Sequence, residues 1–366
     1  FNDAPVIEVS GRTFPVEVVY RPLGELELTD AIGECLELTR AHEREAGASA
    51  GDFLVFMVGE REIRKTANAL RKRFPDELDV LPLYSRLSSS EQNRIFNVKS
   101  GGRRRIILAT NVAETSITVP GIRYVIDPGL VRISRYSFRN KIQQLPIEPV
   151  SKASANQRKG RCGRVAPGIC FRLYDEEAFE TRPDFTEPEI LRTNLASVIL
   201  QMLDLKLGDI EHFPFLQAPA SKLINDGYKL LHELNAVDAK RHITPIGRQL
   251  AVFPTDPRFG RMLLAAAENG VLPEMLIITS MLSIQDPRER PLEKRQQADE
   301  MHARFADDQS DFLSILKLWD DYEAQRQALS GNQLKSYAKQ GFLSFMRMRE
   351  WREIHRQLSL QCHRLG

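Results

Sequence analysis

Short apolar runs and helix-period segments take turns over the first half of this chain, and that alternation limits what it can fold into. Phe53-Leu-Val-Phe-Met-Val58 closes on Gly59. It is followed by Glu60 to Phe74, where Ile63, Ala67 and Leu70 share one helical face. Val80 to Tyr84 is the next run, and Ser88-Ser-Ser-Glu91 has the spacing of a capping box opening a helix to about Val98. Ile106 to Ala109, Tyr124 to Ile126 and Ile169 to Tyr174 continue the series, and Asp30 to Ala46 has helical spacing ahead of it. Runs this short, flanked by glycine, favour strands over helix pieces. Strands alternating with helices imply βαβ units and a parallel sheet, an α/β fold that closes near residue 181.

The character changes after Pro188. Glu189 to Lys206, Pro219 to Asn235, Thr244 to Val252, Pro257 to Glu268 and Leu272 to Leu282 read as helices. His242-Ile-Thr, after Leu234-Asn-Ala-Val237, reads as half of a small strand pair, which makes a winged-helix pattern. The last hundred residues are helical throughout. The domains expected are an arm over 1–28, the α/β domain over 29–186, a winged helix over 187–252 and a helical domain over 253–366. The first residue is Phe, not Met, and the chain is expected to be a piece of a longer protein.

Composition excludes several classes. Four cysteines lack metal-ligand spacing, which argues for a reducing, cytoplasmic compartment without structural zinc. No apolar run approaches a membrane span, and the first residues lack the pattern of a signal peptide. Net charge is only +2, yet it is unevenly spread. Ten basic residues between Arg132 and Arg172 face the single acid Glu148, and Asp175 to Glu189 then holds seven acids and one Arg. The tail from Leu334 to Gly366 has seven basic residues against Glu350 and Glu353, interleaved with Tyr337, Phe342, Phe345 and Trp351. Clustered cations on a near-neutral chain suggest a local polyanion site.

The sharpest signal is Ser154-Ala-Asn-Gln-Arg-Lys-Gly-Arg-Cys-Gly-Arg164. Gln157, Arg161 and Arg164 have the i, i+4, i+7 spacing of one helical face. Gly160 and Gly163 beside that face would let a large anion reach the backbone. Paired guanidinium groups suit a triphosphate, because arginine donates bidentately to phosphate oxygens.

Gln157-Arg-Lys-Gly-Arg-Cys-Gly-Arg164 resembles motif VI of DEAH-box helicases, whose pattern is Q-R-x-G-R-x-G-R. Ala109-Thr-Asn-Val-Ala-Glu-Thr-Ser-Ile-Thr-Val-Pro-Gly-Ile122 resembles motif V, and Val125-Ile-Asp-Pro-Gly129 the segment after it. Phe53 to Ile63 is similar to motif IV, and Tyr84-Ser-Arg-Leu with Gln92-Asn-Arg-Ile-Phe96 to the next motif in order. Cys162 and Pro120 are variants that look most like the bacterial HrpA-type branch. From Glu187 onward the chain resembles the winged-helix and helical ratchet region of that family.

The resemblance implies a second RecA-like domain followed by winged-helix and ratchet domains. It implies Gln157, Arg161 and Arg164 as catalytic, the two arginines as fingers, with Phe96, Ser116 and Gly160 binding ATP. Gly59, Arg86, Thr110, Asn111 and Thr118 are implied at the RNA backbone. Arg135 and Arg139 would lie on a protruding β-hairpin spanning Leu130 to Val150 where duplex meets single strand. Pro120 stands where many members carry an Asp that holds the ribose. The implied partners are ATP, Mg²⁺, single-stranded RNA or a duplex with a 3′ overhang, and the first RecA-like domain of the same protein. The sequence contains no G-x-x-x-x-G-K-[ST] and no Asp-Glu-Ala-His, which belong to that first domain. The metal ligands are therefore expected there, and this chain alone is expected to turn over no ATP. The alternative is a non-catalytic RNA-binding or adaptor module. A winged-helix DNA-binding regulator is a third reading, weakened by having only Lys222 and Lys229 as cations on Ser221 to Leu234.

Overall fold

A computed structural model describes residues 14–365 apart from Ala46, Ser88, 97–101, Ser116 and 292–293, together with Pro5 and Ile7. The capping-box serine Ser88 and the nucleotide-site candidate Ser116 lie outside the described residues. The chain divides into two compact units.

The first unit comprises residues 1–135 and 143–187. Its strands and helices run β1 (Val16–Tyr20), α1 (Leu28–Glu45), β2 (Asp52–Phe56), α2 (Glu60–Arg73), β3 (Leu78–Leu83), α3 (Ser89–Asn93), β4 (Arg104–Ala109), α4 (Val112–Thr115) and β5 (Ile122–Asp127). A ribbon of four short strands follows: β6 (Leu130–Arg132), β7 (Arg135–Ser137), β8 (Ile142–Gln144) and β9 (Ile147–Pro149). Then come α5 (Lys152–Lys159), β10 (Gly168–Arg172) and α6 (Glu176–Glu180). Six strands make one parallel sheet in the order β1-β10-β5-β2-β4-β3. Its central strands are apolar on both faces, as a parallel sheet covered by helices requires. Phe53, Val55, Ile106, Leu108, Tyr124 and Ile126 face one core with Ile32, Ile63 and Leu70. Leu54, Phe56, Ile107, Ala109, Val125 and Cys170 face the other with Cys162. The expected arm contributes β1, hydrogen-bonded along β10 from Val16 to Tyr20.

The second unit comprises residues 136–142 and 188–366. It runs α7 (Ala196–Asp204), α8 (Ser221–Glu233), α9 (Pro245–Ala251), α10 (Pro257–Glu268), α11 (Leu272–Leu282), α12 (Arg295–Ala303), α13 (Asp311–Ala328), α14 (Gly331–Gln340) and α15 (Phe345–Leu365). The expected wing is one antiparallel bridge, Val237 to Ile243, between α8 and α9. Leu195, Ile199, Leu223, Tyr228, Leu231 and Leu250 form its core. A second core is built on Trp351, whose indole N–H reaches the Ile277 carbonyl at 3.1 Å and Ser280 Oγ at 3.0 Å.

The ribbon departs from a free-standing protrusion. Its tip, residues 136–142, belongs to the second unit. Tyr136 is buried there with Phe138 against it, and the Tyr136 hydroxyl donates to Asp226 Oδ2 at 2.6 Å. Lys141 donates to the other Asp226 oxygen and adopts φ 57°. Tyr136 and Phe138 break the basic pattern of the segment, and their apolar area is worth more buried than exposed. Among the described residues no helix is long and apolar enough to cross a membrane.

Candidate nucleotide and RNA site

In a parallel sheet, segments that follow strands emerge at one edge and segments that precede them at the other. This sorts the candidate residues into two groups. Gly59 follows β2, Arg86 follows β3, and Thr110 and Asn111 follow β4. All four lie at the carboxyl edge, where open α/β sheets bind ligands. The Thr110 amide donates to the Leu83 carbonyl at 3.1 Å, and the Asn111 carbonyl accepts from Glu114 at 2.9 Å, which fixes this loop to β3 and α4. Arg86 and Asn111 are exposed. Gly59 caps α2, and a Cβ there would lie 3.2 Å from both Arg132 Nε and Glu62 Oε2.

The opposite edge holds Phe96, Thr118 and the arginines. Arg105, at the start of β4, is buried and organises it. Its guanidinium donates to Asp52 Oδ2 at 2.6 Å, to the Pro120 carbonyl at 2.7 Å and to the Ile95 carbonyl at 2.6 Å. Pro120 therefore offers a backbone oxygen, already engaged, in place of a carboxylate. The Phe96 ring, next to Ile95, is 47% exposed, which leaves a face open to stacking. Thr118, expected at the RNA backbone, accepts from Arg164 Nη1 at 3.0 Å and so belongs with the arginines.

The helical stripe is corrected by the structure. The helix α5 stops at Lys159, with Gly160 as its cap. Gln157 is exposed on its last turn, whereas Arg161 to Arg164 lie in the turn leading to β10. Gly163 is in the left-handed region at φ 75°, which ends the helix. Its missing side chain serves the fold: a Cβ would meet Val16 Cγ2 at 2.4 Å and the Phe14 carbonyl oxygen at 2.9 Å. The glycine makes room for β1, not for an anion. Gly160 has a helical φ of −66° and no such crowding beyond its own turn, the Gln157 carbonyl oxygen being 3.3 Å from a Cβ.

Arg161 and Arg164 nevertheless come together. Arg161 is half-buried, and its Nε is buried with no hydrogen-bond partner among the described residues. Burial, with Arg164 beside it, pulls its guanidinium below the ordinary arginine value, and Glu114 offsets part of that. A polar atom withdrawn from water and left unsatisfied is costly, and an anion with several acceptor oxygens would relieve it.

Arg135 is engaged away from both groups. Arg135 is held by Glu148 at 2.8 Å and Glu187 at 2.5 Å, and these hydrogen bonds raise its pKa. Arg139 is exposed at the ribbon tip. Among the described residues no group of three His, Cys, Asp or Glu side chains could hold a metal ion.

Sequence reasoning missed Arg158. It is 1% exposed, with Glu114 Oε2 at 3.0 Å, Asp127 Oδ1 at 2.7 Å, the Leu130 carbonyl at 3.1 Å and the Phe56 ring centroid at 4.7 Å. A signal existed: Ser151, Ala155, Arg158 and Cys162 are all buried and follow the i, i+4, i+7, i+11 spacing of an inward stripe.

Comparisons with known proteins agree with this domain order. Residues 31–166 match the helicase conserved C-terminal domain, 228–255 the winged-helix helicase associated domain (HA2) and 256–315 its ratchet-like part. The chain is 56% identical over 372 residues to the ATP-dependent RNA helicase HrpA of Escherichia coli strain K12, with all of this chain and 28% of that protein covered. It is equally identical over 373 residues to the HrpA homolog of Haemophilus influenzae, with the same shares covered. It is 37% identical over 334 residues to the pre-mRNA-splicing factor ATP-dependent RNA helicase prp22 of Schizosaccharomyces pombe, covering 89% of this chain and 28% of that one. The chain thus spans little more than a quarter of the length of these relatives.

Proposed function

Because this chain belongs to the HrpA-type branch of the DEAH-box helicase family, we propose that it supplies the second RecA-like domain and the helicase-associated domains of an ATP-dependent RNA helicase. The observation that carries the reading is the arginine pair. Arg161 and Arg164 sit side by side in the turn before β10, one with a buried guanidinium nitrogen left unsatisfied.

ATP, when bound, would supply a γ-phosphoryl group whose transfer spreads negative charge over its oxygens. Arg161 and Arg164 act as fingers on that charge, and a partly dry setting strengthens them. Gln157, exposed one turn earlier, orients the attacking water. Phe96 stacks on the base, a contact that any purine satisfies, and Gly160 lets phosphate approach the backbone. The Mg²⁺ ligands belong, in this reading, to a companion RecA-like domain. At the carboxyl edge Gly59, Arg86, Thr110 and Asn111 hold RNA sugar and phosphate, contacts that carry position but no sequence information. The result is 3′→5′ movement on single-stranded RNA and unwinding of a duplex with a 3′ overhang.

The test is Arg161→Ala and Arg164→Ala in the protein that carries this chain together with an ATP-binding domain. RNA-stimulated ATP turnover should fall by about 10³–10⁵, the range of an arginine finger. ATP binding should weaken far less, since most phosphate contacts lie on the companion domain. Near-normal turnover in either variant would refute the assignment.

A further inference from the structure

Buried charge ties α5 to the carboxyl edge of the sheet. Arg158, 1% exposed, holds two carboxylates of that edge, one on α4 and one at the end of β5. Glu114 belongs to α4, whose first turn is hydrogen-bonded to Asn111 in the carboxyl-edge loop. Asp127 ends β5, where it also accepts from the Gly129 amide at 2.8 Å, and the Leu130 carbonyl opens the ribbon. On the other side, the Arg161 amide donates to the Arg158 carbonyl at 3.0 Å. Ser154 of α5 donates to the second Glu114 oxygen, so two residues of α5 hold this one carboxylate.

We propose that the Glu114–Arg158–Asp127 chain is a positioning device. It fixes the spacing between Arg161 at one edge and the Thr110–Asn111 loop at the other, and so transmits RNA occupancy to nucleotide turnover. The inference rests on the function proposed above, but on different residues.

The choice of residue types supports it. A buried structural contact between α4 and α5 needs only apolar side chains, which are often as stable as an ion pair. Buried ion pairs instead impose direction. Arginine's planar fork addresses two carboxylates and a carbonyl at fixed angles, whereas a methyl group tolerates sliding. A shift of α4 with the RNA-side loop therefore moves Arg158, and the backbone hydrogen bond carries that shift to Arg161.

The experiment uses Glu114→Gln and Arg158→Lys, singly and together, in the protein carrying this chain with its ATP-binding domain. Gln keeps the size and one acceptor oxygen of Glu114, exchanging the charge and the second acceptor for an amide donor. Lys keeps the charge of Arg158 but cannot span both carboxylates. ATP turnover is measured with and without saturating single-stranded RNA, alongside RNA affinity and the thermal midpoint of each preparation. The stimulation ratio should fall about tenfold in each single variant, within the reach of coupling mutations. Basal turnover and RNA affinity should stay within about twofold. The double variant should be no worse than the poorer single one, since both break the same chain. Basal and stimulated turnover falling together, or a lowered thermal midpoint with an unchanged ratio, would reduce the chain to a structural contact. If Arg158→Lys does not fold, Glu114→Gln decides alone. A parent protein with no RNA stimulation would overturn the functional reading and this proposal together, whereas a stimulated parent with normal ratios in both variants overturns only this one.

Discussion

Single residues show where reading along the chain succeeds and where it fails. Arg161 and Arg164 were legible because their spacing survives any local structure: a helix or a tight turn both keep them close. The helix itself was not, because Gly163 takes φ 75° to admit β1, a contact with residues almost 150 positions away in sequence. The inward stripe marks Arg158 as buried, but what it pairs with is hidden for the same reason. Its partners lie 44 and 31 positions away, and nothing in α5 announces them. The two glycines make a sharp test. Gly163→Ala places a methyl 2.4 Å from Val16 Cγ2 in a left-handed backbone, so stability should fall by about 1–3 kcal/mol, read from the thermal midpoint. Gly160→Ala keeps a helical φ and should leave that midpoint nearly unchanged. If Gly160 admits phosphate to the backbone, the same variant should weaken ATP binding when this chain is joined to an ATP-binding domain, and unchanged binding would remove that role.

Among the elements, the parallel sheet was legible from length and apolarity alone, since its central strands are buried on both faces. The ribbon between β5 and α5 was recognised as strands, but its anchorage was not. The segment's plainest sequence feature is its charge density, while Tyr136 and Phe138 decide where the tip packs. Asp226 is the acceptor that receives it. Although burial alone would raise its carboxyl, hydrogen bonds from Lys141 and Tyr136 hold it below the usual value. A carboxyl depressed in the folded state contributes stability above its unfolded pKa and loses it as pH falls through the folded one. Asp226→Asn should therefore cost about 1–2 kcal/mol at neutral pH, the worth of a charge-assisted hydrogen bond. The gap from the parent protein should close below about pH 4. Denaturant melts at pH 7 and pH 3 measure it, and an equal gap at both would show that the charge of Asp226 is immaterial to the tip.

For the whole molecule, the domain order follows from patterns of residues, but its division of labour depends on contacts that no pattern reveals. The chain carries the arginine pair and the carboxyl-edge loops, and its sequence has no phosphate-loop motif. It should turn over no ATP, and it should bind single-stranded RNA weakly, with little preference among sequences of equal length. Neutralising about three or four phosphates gives a log–log salt slope of about −2 to −3, measurable by titration at several salt concentrations. A flat response would mean that phosphate contacts do not carry the binding. The strand β1 has a consequence of another kind. It is the outer strand of the sheet and pairs with β10 over its full length, so it acts as a cover for an otherwise open row of amides and carbonyls. An uncovered strand edge is a template for other chains. Beginning the polypeptide at Arg21 would strip that cover from Gly168–Arg172, every residue of which is buried. The shortened protein should self-associate through β10 at concentrations where the parent remains dispersed, and light scattering on the two would show it. On that expectation, what looks like a connecting arm would also decide whether two copies of this molecule ignore each other.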